Sequence, residues 1–165
     1  MNTPEQNIPE SSHDHESCVN EALATAERLC RERGLRLTTT RRRVLELVWA
    51  SHKPVGAYDI LDLLGRESTS AAPPTVYRAL EFLIEAGLVH RLDSLNAFIG
   101  CPDPLHNHAG QFLICRSCRT VTELSDTGIE ALVSSTAQQH GFDARRQMLE
   151  IEGLCKNCRT APQSA

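Results

Sequence analysis

Two pairs of cysteines constrain what this chain can fold into more than any other feature of its sequence. Each pair has the spacing C-x-x-C, 36 residues separate the pairs, and the four cysteines are Cys115, Cys118, Cys155 and Cys158. The pairs follow segments with the pattern of strands, QFLIC and ARRQMLEIEGLC, so each pair is expected on a turn. Four thiolates on two such turns are typical of tetrahedral zinc with no open position. The spacing therefore predicts a structural zinc site, with a redox disulfide switch as the alternative.

The chain is long enough for one sizeable core or two modest ones, because 165 residues lie within the usual range of about 100–200 residues per domain. Its N-terminal segment lacks the basic and apolar regions of a signal peptide, and no run approaches the ~20 apolar residues of a membrane span. We therefore expect a cytoplasmic protein without a membrane partner. In that reducing compartment, metal or redox sites explain seven cysteines better than a disulfide framework does.

Charge is distributed unevenly along the chain. The formal charge is −4, but residues 1–26 hold five acidic side chains and no Lys or Arg. We expect residues 1–16, and residues 160–165 at the other end, to be disordered tails. The segment Glu27–Lys53 reverses the sign, with eight basic residues against three acidic ones. This basic patch suits contact with nucleic-acid phosphates, with Arg36 and Arg41 as candidates, although a solvated helix face is the alternative.

Residues 17–101 have the pattern of a winged-helix domain. Apolar residues recur at helical spacing in three segments, which start near residues 17, 38 and 57. A further helix is predicted from Pro73 to Gly87, since proline suits the first helical turn and glycine suits the left-handed stop. LVHRL and NAFIGC then alternate around a polar turn, as the strands of a hairpin do. Helices followed by a hairpin describe a winged helix, and a plain helical domain is the alternative.

The helix predicted after Pro73 carries three side chains suited to DNA. Thr75 and Arg78 share its polar face, and Tyr77 lies between the polar and apolar faces. A hydroxyl, an aromatic ring and a guanidinium in the first turns of a helix are groups that contact base edges and phosphates. The side chains of this helix therefore suit contact with DNA.

From Gly110 the pattern changes to that of a second, α/β domain over residues 110–159, which makes the whole chain α+β. QFLIC and TVTEL are predicted strands, and residues 126–140 are a predicted helix with one buried stripe. The stripe comprises Ile129, Leu132, Val133 and Thr136. Because so few apolar residues cannot readily stabilise a monomer, we expect the domain to need a zinc site, a dimer interface or both.

Five further groups have the chemistry of metal ligands and are not needed by the four-cysteine site. They are His90, Cys101, His106, His108 and Glu123. His90 and Cys101 precede a predicted hinge over residues 102–109, the two other histidines lie within it and Glu123 follows it, so a metal bound by them would fix the angle between the domains. Each alone can be explained as an ordinary surface or capping residue. Nitrogen, sulfur and oxygen ligands together favour zinc over Mn²⁺ or Mg²⁺. His13, His15 and Cys18 are not expected to bind metal, and Cys30 is expected in the core.

Five segments resemble the ferric uptake regulator (Fur) family and, within it, the zinc uptake regulators. They are RLTTTRRRVLELV, AYDILDLL, PPTVYRALEFLIEAGLVHRL, HNHAGQFLICRSC and GLCKNC, and the resemblance covers residues 20–159. The resemblance implies a homodimeric winged-helix repressor that binds operator DNA of zinc-uptake genes, with zinc as corepressor and no small-molecule substrate. An enzyme would need an open metal position or a nucleophile beside a base, and neither can be argued here.

The resemblance also assigns residues. It implies two zinc ions per chain, a structural ion on the four cysteines and a regulatory ion on the set His90, Cys101, His108 and Glu123. It implies DNA contacts by Tyr58, in AYDILDLL, and by Arg78, in TVYRAL. Iron-sensing members carry an H-H-x-D-H run before the first C-x-x-C, whereas this chain has PLHNHAGQ and no aspartate there. Zinc is therefore favoured, an iron- or peroxide-responsive regulator is the alternative, and His106 stays a second candidate beside His108.

Overall fold

The computed structural model describes residues 15–51, 53–67, 72–105, 110–144 and 147–160. The elements within these ranges follow in the order α1 (His15–Glu32), α2 (Thr39–Trp49), β1 (Val55–Gly56), α3 (Ala57–Glu67), α4 (Pro73–Glu85), β2 (Val89–Leu92), β3 (Ala97–Gly100), β4 (Gly110–Cys115), β5 (Val121–Leu124), α5 (Thr127–Gln139), β6 (Met148–Gly153) and α6 (Lys156–Thr160). None of the described helices is long and apolar enough to span a membrane.

The first half is a winged helix, in which α2, α3 and α4 pack beside a three-stranded sheet of order β1-β3-β2. Thr38 caps α2, because its side chain accepts a hydrogen bond from the backbone N–H of Arg41. Helix α4 begins at Pro73, and Gly87 follows it with a φ of 75°. The predicted helices and hairpin are confirmed. Strand β1 was not predicted, since two residues carry no pattern and only pairing with β3 makes them a strand.

One apolar core holds α1 against the winged helix. Its largest fully buried members are Leu45, Ile60, Leu80, Leu83, Val44, Val48, Val76 and Val89. Cys30 is buried in this core, as predicted from its helical spacing. Full burial of one such apolar side chain contributes about 1.5–3 kcal/mol. The inner face of α4 is thereby fixed, and the outward side chains of its first turns are left to solvent.

The second half is a three-stranded sheet of order β5-β4-β6, in which β4 is antiparallel to β5 and parallel to β6. Helix α5 lies between β5 and β6 in the chain, as the crossover of a parallel pair requires. Asp126 caps α5 by accepting hydrogen bonds from the N–H groups of Gly128 and Ile129. The short helix α6 after β6 was not predicted from the sequence.

The predicted burial of one stripe of α5 is wrong for the single chain. Leu132 is 67% exposed and Val133 is 40% exposed. Thr136 is also exposed, Ile129 is half-buried, and no residue of α5 is fully buried. The reason is that helical periodicity identifies an apolar face but not what covers it. Within the described part of one chain, nothing buries this face.

A second apolar cluster joins the two halves. Leu92 of β2 is fully buried against Phe112 and Ile114 of β4. Half-buried side chains packed around them come from the hairpin and from the second sheet, and they are Leu95, Ile99, Val121 and Met148. The β2–β3 hairpin therefore packs on the second sheet and does not project freely into solvent.

Candidate metal centres and nucleic-acid interface

The sulfur atoms of Cys115, Cys118, Cys155 and Cys158 converge at the ends of β4 and β6. All four lie within 4.8 Å of one another, and Cys118 Sγ is 3.8 Å from Cys155 Sγ. Two ligands of a tetrahedral zinc with Zn–S bonds of about 2.3 Å lie about 3.8 Å apart, whereas a disulfide bond is about 2.0 Å long. The donor set and its spacing therefore fit a closed zinc site.

The electrostatics of the four thiols also fit a cation. Backbone N–H groups of Cys155 and Cys118 lower the pKa of the Cys115 thiol to about 6. The pKa of the Cys158 thiol rises to about 11, because Ser117 lowers it but the neighbouring sulfurs outweigh that effect. The Cys158 thiol therefore ionises beside the other sulfurs only with compensating positive charge. A divalent ion bound by the sulfurs would supply that charge.

A second group of ligand side chains lies where the hairpin meets the second sheet. Nε2 of His90, on β2, is 3.5 Å from Oε1 of Glu123, on β5, and both side chains are largely buried. The His90 ring packs edge-on against Phe112, with 5.3 Å between ring centroids. Zinc bonds of about 2.1 Å to nitrogen and oxygen place two tetrahedral ligands about 3.4 Å apart. The pair therefore has the separation of two ligands on one metal.

Cys101 follows β3 and is 4% exposed. Its N–H donates to the Leu88 carbonyl at 3.0 Å, which ties the end of the hairpin to its start. Burial raises the pKa of its thiol to about 12, a backbone hydrogen bond at Asp103 opposes that rise, and the Glu123 carboxylate adds to it. The thiol thus lies within electrostatic reach of Glu123. A Cβ atom on the adjacent Gly100 would be 2.2 Å from Cε2 of Trp49, so the indole lies directly on that residue.

The structure brings His90 and Glu123 into contact and puts Cys101 close to Glu123. The predicted ligand His108 and its neighbour His106 lie outside the described residues, as does His13 in the tail. Of the cysteines outside the four-cysteine site, Cys18 and Cys30 both lie on α1.

The predicted DNA contacts on α3 and α4 are exposed. Tyr58, in the first turn of α3, is 69% exposed, and Tyr77 on α4 is 43% exposed. Thr75 and Arg78 on α4 are exposed as well. The inward residues of the same turns, among them Val76, belong to the core. Hydroxyl, aromatic and guanidinium groups are therefore held on rigid helices and presented to solvent.

The arginines at the start of α2 make contacts within the protein that the sequence did not reveal. Arg41 lies 3.6 Å from the ring centroid of Phe82 on α4 and donates to the Arg36 carbonyl at 2.6 Å. Arg42 forms ion pairs with Glu27 of α1 and with Glu46. These contacts tie α2 to its neighbours and explain basic side chains at a helix start, where the dipole disfavours them. Arg36 is exposed.

This chain resembles known proteins in sequence and in fold. Residues 32–152 match the sequence profile described as the ferric uptake regulator family, which is well over half of the chain. The chain belongs to the ferric uptake regulator family. It is 41% identical over 143 residues to the zinc uptake regulation protein of Escherichia coli strain K12, a match that covers 85% of this chain and 82% of that protein.

Solved structures of the family give the same result for the fold. A zinc uptake regulator complexed with zinc and DNA superposes with a TM-score of 0.80 at 39% identity, over 86% of this chain and 95% of that one. The holo form of XcZur superposes with a TM-score of 0.78 at 45% identity, over 86% of this chain and 99% of that one. The apo form of XcZur superposes with a TM-score of only 0.51 at 42% identity, over 87% of this chain and 99% of that one. The fold of this Fur-family chain is therefore more similar to the holo form of XcZur than to its apo form.

Proposed function

We propose that this chain is a zinc-responsive transcriptional repressor, not an enzyme, and that its homodimer binds operator DNA of zinc-uptake genes in the cytoplasm. The observation that carries the proposal is the contact between His90 of the winged helix and Glu123 of the second sheet. It places ligand chemistry where the DNA-binding half meets the rest of the chain. Similarity to a zinc uptake regulator complexed with zinc and DNA supports the same function.

Two zinc ions per chain are part of the proposal. The four cysteines would hold a structural ion, and His90, Cys101, His108 and Glu123 would hold a regulatory one. When bound, the regulatory ion supplies charge neutralisation and a fixed link between the hairpin and β5. His90 and Cys101 bracket the hairpin, and Glu123 belongs to the second half. A shared ligand set therefore fixes the orientation of residues 17–101 relative to residues 110–159, across residues 102–109.

Homodimerisation is proposed through the exposed apolar side chains of the second half. They are Leu113, Leu132, Val133, Phe142, Ile151 and Leu154. An apolar face of this size on so small a sheet and helix is typical of a surface that another subunit covers. A second copy of the chain satisfies that requirement symmetrically.

Operator recognition is assigned to α4 and to the start of α3. Thr75, Tyr77 and Arg78 would contact base edges and phosphates, and Tyr58 would contact the backbone from α3. Arg36 would contact phosphate nearby, and Arg41 would do so from the side that is not stacked on Phe82. Two α4 helices in a dimer can enter successive major grooves only when their separation is about 34–36 Å. Fixing the hinge is thus what makes binding dependent on metal.

The test is replacement of Cys101 by Ser, with Cys18→Ser as the matched control on α1. Operator binding is titrated with buffered zinc, and zinc content is measured by elemental analysis. We expect Cys101→Ser to lose zinc-dependent binding while about one tightly held zinc per chain remains, and we expect Cys18→Ser to behave as wild type. Unchanged operator binding by Cys101→Ser would overturn the proposal. Parallel titrations with iron and manganese test the alternative metals.

A further inference from the structure

Three side chains form a row across the second sheet. In the register of that sheet, Phe112 of β4 lies opposite Glu123 of β5 and also opposite Glu150 of β6. Directly opposed residues on neighbouring strands project from the same face. Glu123, Phe112 and Glu150 therefore point to one side, the side on which the β2–β3 hairpin packs.

Each member of this row contacts a different part of the hairpin. Glu123 and Phe112 meet His90 in β2, and Phe112 also packs against the fully buried Leu92. Glu150 reaches the turn at the far end of the hairpin. One carboxylate oxygen accepts the N–H of Asp93 at 2.7 Å, and the other accepts the N–H of Ser94 at 3.0 Å.

The hydrogen bonds between Glu150 and the hairpin turn are stronger than those between uncharged groups. Both carboxylate oxygens are used, on two successive backbone N–H groups, and hydrogen bonds to a charged acceptor are about twice as strong as neutral ones. The two hydrogen bonds connect residues that are separated by 57 and 56 positions in the chain. They therefore join the first half of the protein to the second. No pattern in the sequence indicates this contact, because an acidic residue in a strand is ordinarily a solvated side chain.

We propose that Glu150 is a positioning residue that clamps the turn of the hairpin and so holds His90 facing Glu123 before any regulatory metal binds. The inference rests on the proposed function for its consequence, since the residue is not itself a metal ligand or a DNA contact. Its basis is that polar contacts hold the hairpin at two separated points of one row, His90 and the turn. The apolar contacts of Leu92 also hold the hairpin, but apolar packing is not directional, whereas the hydrogen bonds from Asp93 and Ser94 fix where the turn lies.

The clamp also bears on the DNA-binding helix. Only a three-residue turn separates the end of α4 from the start of β2, and the Leu88 N–H donates to the Leu83 carbonyl across that turn at 2.9 Å. The orientation of the hairpin on the second sheet therefore sets the orientation of α4. If the clamped state is less populated, the apparent affinity of the regulatory site falls in proportion to the population lost.

The experiment compares Glu150→Gln and Glu150→Ala with Glu152→Gln. The glutamine variant is isosteric and keeps one acceptor oxygen, and the alanine variant keeps none. The control residue lies on the same strand and makes an ion pair with Arg116, at 3.6 Å, in the second half itself. Amide hydrogen exchange of Asp93 and Ser94 is measured first, on protein treated with EDTA so that the structural zinc alone remains. Half-saturating zinc for operator binding is measured second.

We expect the Asp93 and Ser94 amides of the EDTA-treated wild type to be protected, with about tenfold faster exchange in Glu150→Ala and an intermediate rate in Glu150→Gln. The zinc needed for half-maximal operator binding should rise about tenfold in Glu150→Ala, equivalent to about 1.4 kcal/mol. Glu152→Gln should match wild type in both assays.

Unprotected turn amides in the wild type, or a zinc requirement unchanged in both Glu150 variants, would overturn the inference. Wild-type protein that binds its operator without regard to zinc would instead overturn the proposed function. In that case the exchange measurement on Asp93 and Ser94 still tests the clamp.

Discussion

The guanidinium of Arg41 lies 3.6 Å from the ring centroid of Phe82, which joins the start of α2 to the outer side of α4. Arg33, which directly follows α1, adds a second tie, because its Nη1 donates to the carbonyl of Ala86, the residue after α4, at 2.9 Å. The helix proposed to enter the major groove is thus held from outside the core as well as from within it. Two arginines of the basic patch thereby act on the protein itself.

The Arg41–Phe82 contact predicts that stability and the salt dependence of operator binding can be changed separately. Arg41→Ala should lower the free energy of unfolding by about 1 kcal/mol, since an exposed cation–π pair contributes about 0.5–1 kcal/mol and a hydrogen bond to Arg36 is also lost. If Arg41 also contacts phosphate, the slope of log affinity against log salt should fall by about 0.9. Phe82→Leu, which keeps the arginine, should show the stability loss without the change in slope. Urea denaturation and salt-dependent operator binding measure the two quantities.

Arg78→Ala should weaken operator binding by about tenfold or more, because one good bidentate base contact contributes about 1–3 kcal/mol of discrimination. Zinc content should not change, since Arg78 is exposed on α4 and distant in the chain from the cysteines. Glu81→Gln, an exposed change on the same helix, serves as the control. Normal operator affinity in Arg78→Ala would remove this side chain from the recognition surface.

Cys115→Ser should have a different outcome from Cys101→Ser. Cys115 is buried at the end of β4, and its sulfur accepts the N–H of Cys155 at 3.4 Å, so it links the two cysteine pairs, the second of which places Cys158 on α6 and not on the predicted turn. Its loss should release the structural zinc and abolish dimerisation or folding, because the binding energy of a structural zinc is folding energy. Elemental analysis with size-exclusion chromatography would detect this, and a folded dimer with undiminished zinc would contradict it.

The exposed stripe of α5 predicts a monomeric variant. Leu132→Glu places a charge on a side chain that is 67% exposed in one chain and is proposed to be buried in the dimer. We expect monomers in sedimentation velocity with retained helical content, because a charge without a partner is costly only where the interface buries it. Gln138→Glu, exposed on the same helix, should remain dimeric. A stable Leu132→Glu dimer would place the interface elsewhere.

Glu150 predicts a pH dependence with a definite sign. Partial burial raises the pKa of its carboxyl, but hydrogen bonds from Ser94 and Asp93 outweigh burial and lower the pKa below its usual value of 4.5. A lowered folded-state pKa stabilises the fold above the unfolded pKa, and the stabilisation is lost as pH falls through the folded value. The stability difference between wild type and Glu150→Gln should therefore shrink as the pH is lowered below about 4.5. A difference that does not vary with pH would show that the carboxylate charge contributes nothing.

The parts of the structure that could be predicted depend on local chemistry. Apolar spacing identified α1 to α5, proline and glycine marked the limits of α4, and the spacing of four cysteines indicated zinc ligands that the fold does bring together. Each of these patterns is contained in a short stretch of sequence or in a pair of C-x-x-C motifs. The domain limits and the regulatory ligand set remain predictions, and His108 in that set lies outside the described residues.

The parts that could not be predicted depend on contacts between distant segments. Glu150 meets the hairpin turn from 57 residues away, and Arg41 stacks on a ring 41 positions further along. The apolar stripe of α5 is real, but its burial was wrongly assigned to the chain itself, because periodicity does not distinguish a core from an interface. Side-chain pattern gives the face of an element, and only tertiary structure gives its partner.

The close packing of Trp49 on Gly100 gives the protein a built-in optical reporter. The chain has a single tryptophan, so its emission can be assigned without labels. The indole lies against the residue next to Cys101, and no side chain larger than hydrogen fits between them. Ligation at Cys101 should therefore change the fluorescence of Trp49, so occupancy of the proposed sensing site can be followed in real time on unmodified protein, separately from DNA binding.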